Sequence, residues 1–298
     1  MFARIGSAAL LLAATASAPP PQFRAAEAQA RWTQQCKDWD DWDKPAPPYS
    51  IHGQTYYVGT CGIGAILVVG DEGHTLIDSG TDAGAGIVAA NIEALGFRVS
   101  DVETLLVTHE HHDHVGGMVR LQRLTGARLV ASPRAAAVLN SGISDPDDPQ
   151  AMEHARFPPA HVTDVLDLRD GETRILGATE FRAMATPGHT PGATSWQWES
   201  CETKDPCPTI VYADSLTPVS SDGYRFSDHP AYLAAFRASL AKIASLKCDI
   251  LLSPHPSASG MRDRLLKGGL VDPQGCKAYA ARLSKQLDER LAKEADGK

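Results

Sequence analysis

Four histidines and an aspartate crowd one short run, His109-Glu-His111-His-Asp113-His114. Neutral imidazoles bind divalent transition metals well, and a carboxylate among them balances charge without demanding a soft metal. His109 and His111 lie two apart, so both can reach one ion from an extended segment, and His189, in Thr186-Pro-Gly-His189-Thr-Pro-Gly192, can complete three imidazoles. Asp113 and His114 point elsewhere, and His255, in Leu252-Ser-Pro-His255-Pro256, can join them on a second ion. Open sites of this kind keep a water ligand whose pKa the metal lowers towards neutrality, and that is the chemistry of a hydrolase. His112 faces away from such a cluster, and His52, His74, His154, His161 and His229 lack the setting and read as structural or surface residues.

These side chains need elements to carry them. Leu105-Leu106-Val107 reads as a buried strand, and Gly116-Gly117-Met118-Val119-Arg120-Leu121 opens a helix, so the histidines leave a strand end and enter a helix. Residues 31–50 read as an irregular Trp, Asp and Pro-rich arm whose aromatic rings can pack on the body or overhang a site, packing being the first expectation. From Tyr56 onward come strands at 56–58, 65–69, 74–77, 128–131, 162–168, 173–176, 180–185, 194–198, 209–212 and 249–252. Helices are expected at 85–95, 117–125, 133–139, 230–246 and 277–293. Residues 141–160 carry no periodicity, and a loop of that length is a candidate wall over a site. Apolar strands end at Asp78, at the histidine run, at His189, at Asp214-Ser215 and at His255; in layered α/β folds strand ends converge on one edge, where ligands bind.

With 298 residues, 43% hydrophobic and 21% charged, the chain can bury a full core as one domain, residues 31–298. Its net charge of −8 offers no basic footprint for nucleic acid. Residues 1–30 read as a signal peptide and tail: Arg4, the apolar run Ala8–Ala14, and the small-residue triplets Ala16-Ser-Ala18 and Ala28-Gln-Ala30 as alternative cleavage points. The expected location is therefore periplasmic or secreted, where disulfides persist. Cys201 and Cys207 flank a turn-forming segment that a local bridge could close; spacing alone leaves Cys36, Cys61, Cys248 and Cys276 unpaired. None has the C-x-x-C spacing of a structural zinc site, so a metal falls to His and Asp.

Through His109-Glu-His111-His-Asp113-His114 the chain resembles the metallo-β-lactamase superfamily from about Tyr56 to its C-terminus. More narrowly it is similar to class B β-lactamases of subclass three, through Thr186-Pro-Gly-His189-Thr-Pro-Gly192, Tyr212-Ala-Asp-Ser215-Leu, Leu252-Ser-Pro-His255-Pro and Cys276-Lys-Ala-Tyr279. The resemblance implies a four-layer αββα sandwich and two Zn2+ ions, the first held by His109, His111 and His189, the second by Asp113, His114 and His255. It implies hydrolysis of the β-lactam amide bond by a metal-bridged hydroxide that Asp113 orients. Ser215 and Thr217 would bind the substrate carboxylate or water, and Tyr224 would polarise the scissile carbonyl. It further implies a Cys248–Cys276 bridge, with Cys201–Cys207 and Cys36–Cys61 the simplest remaining pairs, and the working expectation is a monomer. The nearest rival is a superfamily hydrolase acting on a thioester or lactone, in which Asp214 would bridge both metals. An iron oxygenase or redox scaffold and a non-catalytic binding protein are more distant readings.

Overall fold

Side chains two apart along the strands sort the apolar residues into layers. The computed structural model describes residues 25–155, 157–158, 160–162, 165–202 and 207–296. The chain runs through α1 (Ala25–Gln35), β1 (Tyr49–His52), β2 (Thr55–Tyr57), β3 (Ile66–Val68), β4 (His74–Ile77), α2 (Asp82–Ala94), β5 (Val102–Leu106), α3 (His112–Val115) and α4 (Met118–Thr125). It continues with β6 (Arg128–Ala131), α5 (Pro133–Ser141), β7 (Val165–Asp167), β8 (Thr173–Leu176), β9 (Thr179–Ala185), β10 (Thr194–Glu199) and β11 (Thr209–Tyr212). The last elements are α6 (Pro230–Ser245), β12 (Ile250–Leu252), α7 (Met261–Leu266) and α8 (Gly275–Ala295).

One seven-stranded sheet has the order β1-β2-β3-β4-β5-β6-β7, and a five-stranded sheet the order β12-β11-β10-β9-β8. In β3, Ile66 and Val68 face the second sheet while Leu67 faces outward; in β5, Leu106 and Leu105 divide in the same way. The inward set meets Phe181, Trp196, Trp198, Ile210 and Leu252 between the sheets. The outward set meets Val88 and Ile92 of α2, Met118 and Leu121 of α4 and Leu139 of α5. On the far side, Val211 and Leu251 pack under Phe236 and Leu240 of α6 and Leu283 and Leu287 of α8. These three cores define four layers, αββα.

Direction is what matters for function. β4 and β5 are parallel, as are β11 and β12, and β9 lies antiparallel to β10, which is antiparallel to β11. The C-terminal ends of β9, β11 and β12 therefore share one edge. Cross-links join that edge to the end of β5: Trp196 Nε1 donates to the Val107 carbonyl at 3.0 Å, and the Thr194 amide to the Thr108 carbonyl at 2.7 Å.

Two expectations change. The start of the irregular arm is helix α1, whose Ala28 and Trp32 are buried together with Cys36 just past its end, with Trp32 edge-on to Tyr49 and Tyr57. Its far end is strand β1. The triplet Ala28-Gln-Ala30 therefore lies inside a packed helix, whereas the apolar run 8–14 and Ala16-Ser-Ala18 lie outside the described residues. Helix α7 carries no expectation from sequence; its six residues are too few for periodicity to register. Disulfides join Cys36 to Cys61, Cys201 to Cys207 and Cys248 to Cys276. Among the described residues no helix is long and apolar enough to cross a membrane.

Candidate metal centre

Local chemistry fixes each segment that carries a histidine. At the end of β4, Asp78 takes a left-handed conformation (φ 63°), which Asp tolerates better than most residues. Its buried carboxylate accepts from the Thr108 amide at 2.9 Å and the Thr108 hydroxyl at 2.7 Å, pinning the residue before His109. The His114 carbonyl accepts from the Ser79 amide (2.9 Å) and hydroxyl (2.8 Å), anchoring the single turn α3. The His189 loop is held from beneath by Glu110, which accepts from the Thr190 hydroxyl at 3.0 Å and the Gly192 amide at 3.3 Å. Gly188 of this loop lies so close to Phe236 that a Cβ would sit 2.3 Å from its ring. Only glycine permits that approach.

Hydrogen bonds on the outer nitrogens then dictate which nitrogen faces inward. His109 Nδ1 donates to Asp214 Oδ1 at 2.8 Å, and its Nε2 is buried without a hydrogen-bond partner among the described residues. His111 Nε2 lies 3.0 Å from Asp148 Oδ2, which turns Nδ1 inward. His189 Nδ1 donates to the Thr217 carbonyl and lies 3.1 Å from it and from the Thr217 hydroxyl, leaving Nε2 as an acceptor that Gln150 Nε2 meets at 3.3 Å. Asp113 Oδ2 lies 3.1 Å from His114 Nε2 and 3.3 Å from His255 Nε2.

Two ligand sets emerge. One donor atom each from His109, His111 and His189 fall within 4.8 Å of one another, as do atoms from His109, Asp113 and His114. His255 reaches the second set through Asp113 and through its ring, 5.0 Å from that of His114. A buried imidazole nitrogen with no partner is costly unless something accepts its lone pair, so the His109 Nε2 fits a metal ligand better than a packed side chain. All six cysteines are in disulfides, so the donors are imidazole and carboxylate. Such a set suits a borderline divalent ion.

Electrostatics at His109, His189 and Asp113 agree with that assignment. Burial lowers the pKa of His109 well below the ordinary imidazole value and brings His189 down to about 3, keeping both neutral and ready to ligate. Burial by itself would raise Asp113, but the His114 and His255 imidazoles hold its carboxyl well below the usual carboxylate range. Burial would likewise lower His111, and the Asp148 carboxylate reverses the sign. Behind the histidines, burial pushes Asp214 well up and Glu110 up to about 7.

A cleft of about 220 Å³ opens over this cluster, lined by His111, Asp113, His189, His255 and Thr217 and rimmed by Trp39, Trp42, Phe157 and Val219. Of the two placements open to the arm, its Trp39 and Trp42 take the second and overhang the site. The Trp39 ring lies 6.2 Å from that of His255, and the Trp42 ring 5.5 Å from Phe157, edge-on. The 141–160 loop supplies Gln150, Glu153 and Phe157, a wall as expected from its length.

The three residues expected at the substrate fare differently. Thr217 lines the cleft. Ser215 is fully buried behind it, and the chain reverses between them at Leu216 (φ 41°), a conformation costing a non-glycine residue about 1–3 kcal/mol. Tyr224 lies outside the cleft-lining set, stacked on His229 at 4.6 Å, with its carbonyl accepting from Arg290. Sequence reasoning did not single out Glu110, Asp148 or Gln150. Glu110 offers a signal, because a carboxylate between two candidate ligand histidines in a buried turn needs its own donors. Replacing it with Ala strands the Thr190 hydroxyl and Gly192 amide, which is expected to lower unfolding free energy by about 1–3 kcal/mol in a denaturant titration, more than an exposed Glu such as Glu172 would.

Two sheets packed between helices, with His and Asp converging at the strand ends, define an αββα metallohydrolase. The family model "Metallo-beta-lactamase superfamily" matches residues 58–202. The structure of the MIM-2 metallo-β-lactamase is 57% identical with a TM-score of 0.83, covering 91% of this chain and 98% of its own. That of MEM-A1, a subclass B3 metallo-β-lactamase isolated from a soil metagenome library, is 40% identical with a TM-score of 0.82, covering 87% and 100%. A hydroxyacylglutathione hydrolase of Cereibacter sphaeroides is 32% identical over 108 residues, 36% of this chain and 32% of that protein, so the chain spans about a third of its length. The chain belongs to the metallo-β-lactamase superfamily, and its likeness to the metallo-β-lactamase structures runs through nearly the whole of each.

Proposed function

We propose that this protein hydrolyses the amide bond of β-lactams with two zinc ions, the first held by His109, His111 and His189 and the second by Asp113, His114 and His255. The observation that carries the reading is the inward turn of the His109, His111 and His189 nitrogens beside the Asp113, His114 and His255 group, under a cleft with an aromatic rim. Bound zinc supplies a water nucleophile at neutral pH, polarises a carbonyl and stabilises a departing amide nitrogen. Asp113, kept ionised by its imidazole neighbours, would help to hold the second ion and orient the nucleophile. The Thr217 hydroxyl, already beside His189, contacts the substrate carboxylate, while Trp39, Trp42 and Phe157 cover its apolar substituents and exclude water.

The hydroxyacylglutathione hydrolase likeness keeps a thioester substrate as the alternative, but Asp214 Oδ1 lies on the outer nitrogen of His109, the side of the ring away from the ligand cluster. Three disulfides among the described residues support export to the periplasm or beyond. Purified protein assayed side by side on a carbapenem, a cephalosporin and a glutathione thioester tests the assignment. Ring opening of either β-lactam with kcat/KM at least about 100-fold above the thioester, about 2.7 kcal/mol of discrimination, is the expected result. The reverse preference would overturn it.

A further inference from the structure

Each of the first three histidines is steered by an acceptor on its outer nitrogen, and the acceptors differ in how they are held. Asp214 of His109 follows β11, and Thr217 of His189 lies just beyond it. Asp148 of His111 sits in the irregular loop after α5, yet its side chain is fully buried. The loop is built to keep it there. Arg134 of α5 grips Asp145 through two nitrogens at 2.7 and 2.5 Å and Asp147 at 2.7 Å. The Ser221 amide donates to the Pro149 carbonyl at 2.9 Å from the segment beyond Thr217. Asp148 itself closes a turn: Oδ1 accepts the Gln150 amide at 2.8 Å, and the Gln150 side chain then reaches His189. One loop thus touches two of three imidazoles of the first set.

We propose that residues 145–150 form a clasp on the first metal site, with Asp148 as the positioning residue that fixes the inward nitrogen of His111 and ties first-ion affinity to the order of this loop. The inference rests on the ligand assignment above but not on the substrate. A carboxylate behind a ligating imidazole sets its tautomer, orientation and basicity, and losing such a partner typically costs about 10–100-fold in metal affinity. Because the clasp is anchored by ion pairs at a half-exposed arginine, its order can be changed without touching a ligand.

The test uses full-length protein reconstituted with zinc, and with cobalt(II) as a spectroscopic substitute. Variants Asp148→Ala, Asp148→Asn and Arg134→Gln are compared by chelator competition for each ion, by the cobalt absorption spectrum, and by hydrogen exchange of the 145–153 amides. Asp148→Ala is expected to weaken the first ion about 10–100-fold while the second stays at wild-type affinity. Asp148→Asn, which keeps an acceptor oxygen, restores part of the loss, and Arg134→Gln speeds exchange in the loop and gives a smaller loss at the same ion. Wild-type first-ion affinity in Asp148→Ala would overturn the proposal. Should that variant not fold, Arg134→Gln decides: faster loop exchange with unchanged first-ion affinity would overturn it equally. A protein that binds both ions as described but leaves β-lactams intact would refute the proposed substrate and not the clasp.

Discussion

Asp113→Ala is expected to remove the second of the two proposed ions and most of the turnover. Asp113 is the carboxylate between His114 and His255, and it is the group that those two imidazoles hold in its ionised form. Without it, two histidines remain with no charge compensation and no carboxylate to orient the nucleophile. The expected loss in kcat/KM on a carbapenem is on the order of 10³-fold, about 4 kcal/mol of transition-state stabilisation. His255→Ala is expected to lose the same ion with a comparable fall. Metal content measured beside kinetics checks both, and unchanged hydrolysis in either variant would refute a dinuclear centre.

Asp214→Ala is expected to have the next largest effect, and its pattern separates two chemistries. Asp214 is fully buried, its carbonyl accepts the Tyr279 hydroxyl at 2.7 Å, and its carboxylate holds His109 Nδ1. Removing the carboxylate leaves that N–H without an acceptor and the ring free to turn. First-ion affinity should fall about 10–100-fold, with about 1–3 kcal/mol lost from stability. Asp214→Asn, whose amide oxygen can still accept, should recover most of both. Had Asp214 bridged two metals, as in a thioester hydrolase of this superfamily, Ala would release both ions together. Chelator competition on each site distinguishes the outcomes.

Much of this was readable before any coordinates. The histidine run announces itself through spacing, and apolar strands ending in polar residues place Asp78, His109, His189, Asp214 and His255 on one edge, because parallel strand ends must share a side. Tyr279 lies in a short motif far from the histidines in sequence, and its hydroxyl donates to both the Asp214 and Ser215 carbonyls, a physical reason for that motif to accompany the site. Local pattern failed where the answer depends on tertiary partners. The first half of helix α1 reads as the end of a leader because Ala28-Gln-Ala30 fits a cleavage triplet, and only burial of Trp32 against Tyr49 and Tyr57 reveals the helix's role. The tryptophan arm overhangs the cleft because Cys36–Cys61 and the Trp39 amide, donating to Ser257 Oγ at 2.5 Å, draw it there, long-range contacts that no periodicity encodes. Asp148 was hidden for the same reason: in sequence it is one acid among several in a Pro/Asp loop, and its partner lies 37 residues away.

Stripping the protein with a chelator and returning zinc stepwise, while following hydrolysis of a carbapenem and counting bound ions, examines the whole account at once. Activity should vanish with the metal and climb back with zinc until about two ions are bound per chain. Ring opening that persists in metal-free protein, or full activity with zinc bound by a chain lacking His189 and His255, would contradict it.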